Sequence, residues 1–219
     1  MPLLRLCLIM RVRDGEEVRK LAASIIERGG VIAFRTDTFY GLGADPFNRA
    51  ALRKIFELKG REARKPILVV ISDENFLERL ITNRSSLFDG VIRKHWPGAL
   101  TIIASARDEV PDELTAGTGT LGMRLPDDSD VREFVRACGG ILTATSANPS
   151  MMPTARNALE VESYFDDRID LIVDAGEARS EQPSSVLDLS GDEPRLIREG
   201  VVRREMLRET LEKLGSTLK

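Results

Sequence analysis

Apolar positions recur at helical spacing over several stretches of this chain, and short apolar runs lie between them. That pattern predicts helices alternating with strands. The opening stretch MPLLRLCLIMRVR reads as a first strand: Arg5 interrupts it, and it lacks the length of a membrane span and a small-residue cleavage site. At Asp14 the pattern changes. Glu17 completes a capping-box spacing, and Val18, Leu21, Ala22, Ile25 and Ile26 form one apolar stripe that ends at Gly29-Gly30. Residues 31–35 predict a buried strand and 36–43 a polar turn. Asn48 is placed to cap a second helix with the stripe Ala51, Leu52, Ile55 and Phe56, stopping near Gly60.

Further along, the pattern predicts strands over 67–72, 100–105, 120–125, 141–145, 171–174, 185–189 and 195–198. Helices are predicted over 74–96, 130–138, 155–165 and 204–214. No internal repeat, low-complexity tract or linker interrupts them. The expectation is therefore one α/β domain over 1–219, a twisted mixed open sheet with flanking helices.

Composition narrows the function classes. With 42% hydrophobic and 31% charged residues, the chain has the balance of a soluble globular protein. A formal net charge of −3 argues against a surface that coats nucleic acid, although 32 Lys and Arg leave room for a local basic site. Two cysteines, Cys7 and Cys138, without metal-ligand spacing argue against a disulfide framework and suit a reducing compartment. The single histidine, His95, sits in His-Trp-Pro-Gly, which reads as a helix end and turn rather than a catalytic centre. Gly117–Gly122 spells GxGxxG, but a loop precedes it and a strand follows, the reverse of what dinucleotide binding requires. No P-loop motif occurs.

Two short motifs carry the chemistry. Lys59-Gly60-Arg61 and Ser146-Ala147-Asn148 each set two functional side chains around one small residue. Extended backbone would put both on one face. Two cations there suit a polyanion such as a nucleoside triphosphate; a hydroxyl and a carboxamide suit a polar substrate beside it. Taken alone, Lys59 and Arg61 equally suit the end of a helix dipole. The loop Thr36-Asp37-Thr38-Phe39-Tyr40-Gly41-Leu42-Gly43 follows a strand, where α/β proteins bind ligands. Arg124 stands among apolar strand residues, so it needs an anionic partner from protein or ligand.

Taken in order, TDTFYGLGAD, IFELKGR, KPILVVIS, HWPGALTII, TLGMRLP, TATSAN, DLIVDAG, SSVLDL and IREG resemble the Sua5/YciO/YrdC family over about 29–200. The Lys-x-Arg and Ser-x-Asn pair resembles the branch that makes L-threonylcarbamoyladenylate. The resemblance implies a YrdC-like fold enclosing a basic substrate cavity, with 201–219 as a C-terminal helix and no second Sua5 domain. It implies condensation of L-threonine, bicarbonate and ATP, with Mg2+, for t6A modification of tRNA adenosine 37 in the cytoplasm. A separate tRNA threonylcarbamoyl transferase would take the product; weak tRNA binding is allowed, and neither a resident metal site nor a membrane role is implied.

By the same resemblance Lys59 and Arg61 are catalytic. Arg61, Thr120, Asn148 and Arg198 would contact ATP, and Thr38, Arg124, Ser146 and Ser185 would contact threonine. Four positions depart from the family's usual residues: Arg35, Lys65, Val70 and Arg156. The segment after Asn148 also lacks the usual glycine. The alternatives are a YciO-like paralogue and an RNA-binding module without this activity. Carbamoyl transfer as in hydrogenase maturation is a third, weakened by the lack of room and cysteines for that family's extra domains.

Overall fold

The computed structural model describes residues 11–60 and 65–219. Within them each strand expected from periodicity is present, but the strands divide between two mixed sheets rather than forming one. The first sheet holds β1 (Arg11–Arg13), β2 (Ile32–Arg35), β3 (Tyr40–Gly43), β8 (Thr145–Ser146) and β9 (Leu171–Asp174), in the order β1-β9-β2-β3-β8. The second holds β4 (Val69–Ile71), β5 (Leu100–Ser105), β6 (Thr120–Arg124), β7 (Ile141–Thr143), β10 (Ser185–Asp188) and β11 (Arg195–Arg198), in the order β11-β10-β5-β6-β4-β7. Most of the strand predicted over 1–13 lies outside the described residues.

Two of the differences from expectation matter for the site. The polar turn over 36–43 is only a short turn; its second half is β3, antiparallel to β2 with Arg35 opposite Tyr40. The strand expected over 141–145 is broken at Ala144. β7 pairs with β4 in one sheet, and β8 pairs with β3 in the other, setting Ser146 opposite Gly41. The chain therefore crosses between the sheets just before Ser146 and Asn148.

Helices cover both faces of β2, which is why all four of its residues are buried. Ile32 and Phe34 pack with α1 (Glu16–Glu27) and α5 (Ser129–Ala137), and Phe34 stacks on Phe134 with centroids 5.3 Å apart. Val31 and Ala33 face the larger cluster with α2 (Arg49–Lys59). The α1 stripe is buried as expected, but the capping box does not form: Gly15 is the N-cap, Asp14 pairs with Arg19 and Glu17 with Lys20. The helix expected over 74–96 is two pieces, a 3-10 turn at Glu74–Arg79 and α3 (Ser86–His95), because Asp73 and Ser85 each cap a separate start. Short α4 (Asp112–Thr115) was not legible from periodicity. α6 (Ala158–Phe165) starts later than expected, capped by Asn157.

α7 (Arg204–Lys213) buries Leu207 and Leu211 in the main core. Its Thr210 hydroxyl lies 3.0 Å from His95 Nε2, and burial holds the His95 imidazole below its ordinary pKa. His95 is thus a packed helix-end residue.

Cys138, just after α5, is buried, and burial pushes its thiol up to about 12. The thiolate is the nucleophile, so iodoacetamide at neutral pH should leave the Cys138 peptide unmodified in the native protein and label it fully in denaturant. Rapid native labelling would show that this end of α5 opens.

Candidate functional site

Asn48 Oδ1 accepts from Ala51 N at 3.1 Å and starts α2; Gly60, at φ 59°, ends it in the left-handed region that suits glycine. This places Lys59 in the last turn. Its side chain does not lie along the surface as a dipole cap. It is 3% exposed, and its Nζ donates to Ser146 O at 2.5 Å and Asn148 O at 2.8 Å, with Ser146 Oγ at 3.4 Å. Ser150 N donates back to Lys59 O at 2.9 Å. The helix end thus clasps the Ser-Ala-Asn turn through both side chain and backbone. Arg61 lies outside the described residues.

The turn between β2 and β3 forms the next wall. Thr36 Oγ1 donates to Phe39 O at 2.8 Å, and Thr38 N donates to Thr36 Oγ1 at 3.2 Å. Arg124, at the end of β6, reaches into this turn from the other sheet. Its Nη1 donates to Thr38 Oγ1 at 3.2 Å and its Nη2 to Thr36 Oγ1 at 3.4 Å. Asp37 Oδ1 stands 3.0 Å from Arg124 Nη2, an ion pair without hydrogen-bond alignment. Desolvation opposes charge on both partners: burial raises the Asp37 carboxyl above its ordinary pKa although Arg124 lowers it in part, and burial lowers Arg124. The anionic partner expected for Arg124 from sequence is therefore Asp37, a residue that motif reasoning missed. The only signal for it was a carboxylate between two threonines after a strand.

The two clusters adjoin. Ala147 N donates to Tyr40 O at 2.9 Å, so the Ser146–Asn148 turn lies directly against the residue that follows the threonine loop. Tyr40's hydroxyl donates to Gly176 O at 2.8 Å and accepts from Ala175 N at 3.2 Å; burial pushes the phenol up to about 12, which keeps it a donor at neutral pH.

Other predicted residues fall into two groups. Arg198 lies close enough to Arg124 to feel its charge: its Nε and Nη2 donate to Ser184 O at 3.1 and 2.9 Å, and its pKa is lowered first by burial and then by Arg124. Asn148 is buried, its Nδ2 donating to Met152 O at 2.6 Å. Ser185 is fully buried and its hydroxyl is engaged internally, donating to Val202 O at 2.5 Å and accepting from Gly200 N at 2.8 Å. Thr120 lies at the opposite end of β6 from Arg124, about 13 Å away at strand rise, with its hydroxyl 2.9 Å from that of Thr118. The structure does not bring Thr120 to the Arg124 cluster. Of the departing positions, Arg35 is buried beside Asp128, Val70 is core opposite Arg124, Lys65 is exposed, and Arg156 Nη1 donates to Ser180 O at 3.3 Å.

Among the described residues, five buried side-chain N or O atoms have no hydrogen-bond partner, and three of them lie here: Asp37 Oδ1, Arg124 Nε and Asn148 Oδ1. Buried polar atoms are normally satisfied, so this concentration points to a ligand with polar groups of its own.

Comparison with known proteins gives matching results. A family profile described as "Telomere recombination", Sua5_yciO_yrdC, matches residues 24–200. Threonylcarbamoyl-AMP synthase of Bacillus subtilis (strain 168) is 36% identical over 187 residues, 85% of this chain and 54% of that protein. The crystal structure of P. abyssi Sua5 complexed with L-threonine superposes with TM-score 0.88 at 31% identity, covering 97% of this chain and 62% of that one. E. coli YciO superposes with TM-score 0.76 at 25% identity, covering 89% and 95%. This chain thus spans 54% and 62% of the length of the first two relatives.

Proposed function

This chain belongs to the Sua5/YciO/YrdC family, and from that premise we propose that it condenses L-threonine, bicarbonate and ATP into threonylcarbamoyl-AMP and pyrophosphate. The observation that carries the reading is the set of buried polar atoms without a hydrogen-bond partner, Asp37 Oδ1, Arg124 Nε and Asn148 Oδ1. A threonine carboxylate matches the guanidinium fork of Arg124 better than one misaligned Asp37 oxygen does. Thr38, already 3.2 Å from that fork, supplies a hydroxyl beside it. The threonine-bound P. abyssi relative supports the choice of amino acid.

The reaction asks for positioning and charge stabilisation rather than an enzyme nucleophile. The threonine amine attacks the carbon of bicarbonate, and water leaves as the carbamate forms. A carbamate oxygen then bonds to the α-phosphorus, and the α-phosphorus–oxygen bond to pyrophosphate breaks. Negative charge develops on phosphate oxygens. Lys59 and Arg61 are the cations assigned to it, with Ser146 and Asn148 held in register by the Lys59 clasp. Arg198 and Thr120 complete the ATP assignment and Ser185 the threonine assignment. For Ser185 the internal bonding of its hydroxyl favours a role in holding the Ser184–Gly200 corner. Among the described residues no group of three or more His, Cys, Asp or Glu could cage a metal. Mg2+ bound to the ATP phosphates would neutralise leaving-group charge.

We take 1–219 as one domain, consistent with Leu207 and Leu211 of α7 lying in the shared core. No described helix is long and apolar enough to cross a membrane. The product would pass to a separate tRNA threonylcarbamoyl transferase in the cytoplasm. The likeness to E. coli YciO favours a YciO-like paralogue as the second reading.

Purified protein incubated with ATP, Mg2+, bicarbonate, L-threonine and pyrophosphatase should yield threonylcarbamoyl-AMP by mass spectrometry, dependent on both threonine and bicarbonate. Folded protein that makes none, beside an active synthase, would overturn the assignment in favour of the YciO-like reading.

A further inference from the structure

The Asp128 side chain is 2% exposed and serves three segments at once. Oδ1 caps α5, accepting from Asp130 N at 3.1 Å and Val131 N at 3.4 Å. Oδ2 accepts from Arg35 Nη1 at 3.3 Å and forms an ion pair with Arg179 Nη1 at 2.8 Å. Arg35, 5% exposed, ends β2 and leads straight into Thr36-Asp37-Thr38. Asp128 follows shortly after β6, which ends on Arg124. Arg179, 58% exposed, lies in segment 175–184 between β9 and β10, just before Ser184 and Ser185. Asp128 also acts on Asp37 through space.

Two arms therefore adjoin the Arg124 site directly, and the third comes from the segment that holds the hydroxyl of Tyr40, the residue after the threonine loop. Segment 175–184 is held mostly by polar ties, among them Tyr40 to Gly176 and Ala178 N to Arg156 O at 2.7 Å. An exposed ion pair usually contributes little. Here one partner is a buried carboxylate, and losing Arg179 leaves it to Arg35 alone, so segment and carboxylate would have to readjust.

We propose that Arg35, Asp128 and Arg179 form a three-armed charge clamp that positions the amino-acid site, Arg179 being the arm that holds segment 175–184 in place. The clamp deepens the proposed threonine-binding reading and rests on it. None of the three need touch substrate; they are positioning residues.

Arg179→Met removes the surface arm without opening the core. Titration calorimetry with L-threonine should show about a five- to tenfold weaker Kd, while ATP binding stays within about twofold. Hydrogen–deuterium exchange over 175–184 should quicken, and Arg179→Lys should restore most of the threonine affinity. Asp128→Asn keeps the helix cap, because Asn caps as well as Asp, and should reproduce the threonine loss. Wild-type threonine affinity in Arg179→Met, or unchanged exchange over 175–184, would overturn the clamp. Equal weakening for ATP would overturn it too, because general loosening would then explain the loss. Absence of threonine binding in the wild type would sink the functional reading instead, and the exchange measurement would still decide the clamp.

Discussion

Lys59→Ala should slow threonylcarbamoyl-AMP formation by about 10²-fold or more, the usual cost of removing a charge-stabilising donor from a transition state. The geometry sharpens that expectation. The ammonium sits on the carbonyls of Ser146 and Asn148 at 2.5 and 2.8 Å, so truncation also strips donors from two acceptors. Charge-assisted bonds of this kind contribute about 1.5–3 kcal/mol each, and thermal unfolding should register the loss. Two measurements separate the effects: pyrophosphate release at saturating substrates reports the charge, and Tm reports the clasp. A variant with reduced Tm but near-normal turnover would leave Lys59 a structural residue and sink its catalytic role. Arg61→Ala tests the partner cation in the same assay.

The second large effect is expected at Arg124. Arg124→Lys keeps the charge but loses the planar fork, and the KM for threonine should rise about 10²-fold with a much smaller change in the KM for ATP. Arg124→Ala also leaves Asp37 buried without its cation, at a cost of about 3–5 kcal/mol in stability. Its pH dependence has a definite sign. The Asp37 carboxyl is already raised by burial, and Arg124 is the charge that lowers it. Removing Arg124 raises it further. An acid whose folded-state pKa lies above its unfolded value contributes stability that is full below the unfolded value and lost as pH rises through the folded one. The Tm deficit of Arg124→Ala relative to wild type should therefore be smaller near pH 4 than near pH 7. A deficit independent of pH would show that Asp37 is not the group left unpaired.

Element by element, the sequence was informative wherever the cause was local. The stripe Ala51, Leu52, Ile55 and Phe56 is buried as its spacing requires, and Asn48 caps that helix. The GxGxxG stretch leads into β6 rather than a helix, as its flanks indicated. Local signals misled where a second partner competed. The Asp14–Glu17 spacing invites a capping box, but Arg19 takes Asp14 and Lys20 takes Glu17. The run 141–145 has uniform strand character, and nothing within it marks Ala144 as the point where the chain leaves one sheet for the other.

The candidate site divides along the same line. Residue types and motif order together sufficed to single out Lys59, Arg124, Ser146 and Asn148: a cation beside glycine, a hydroxyl and a carboxamide on either side of one alanine, and an arginine inside an apolar strand stand out as local patterns, and their order along the chain carried the resemblance. How they act depends on partners far away in sequence. Arg124 meets Thr38 across 86 positions, Lys59 meets Ser146 across 87, and Arg35 meets Asp128 across 93. Such pairings are set by how strands of two sheets align. Periodicity, which senses only a few residues at a time, does not encode them. The sequence by itself therefore determined most of the elements, the family and the candidate cations of this protein. Only the tertiary structure decided that Lys59 turns inward onto a backbone turn, that Asp37 is the anion facing Arg124, and that the hydroxyl of Ser185 is spent on its own fold.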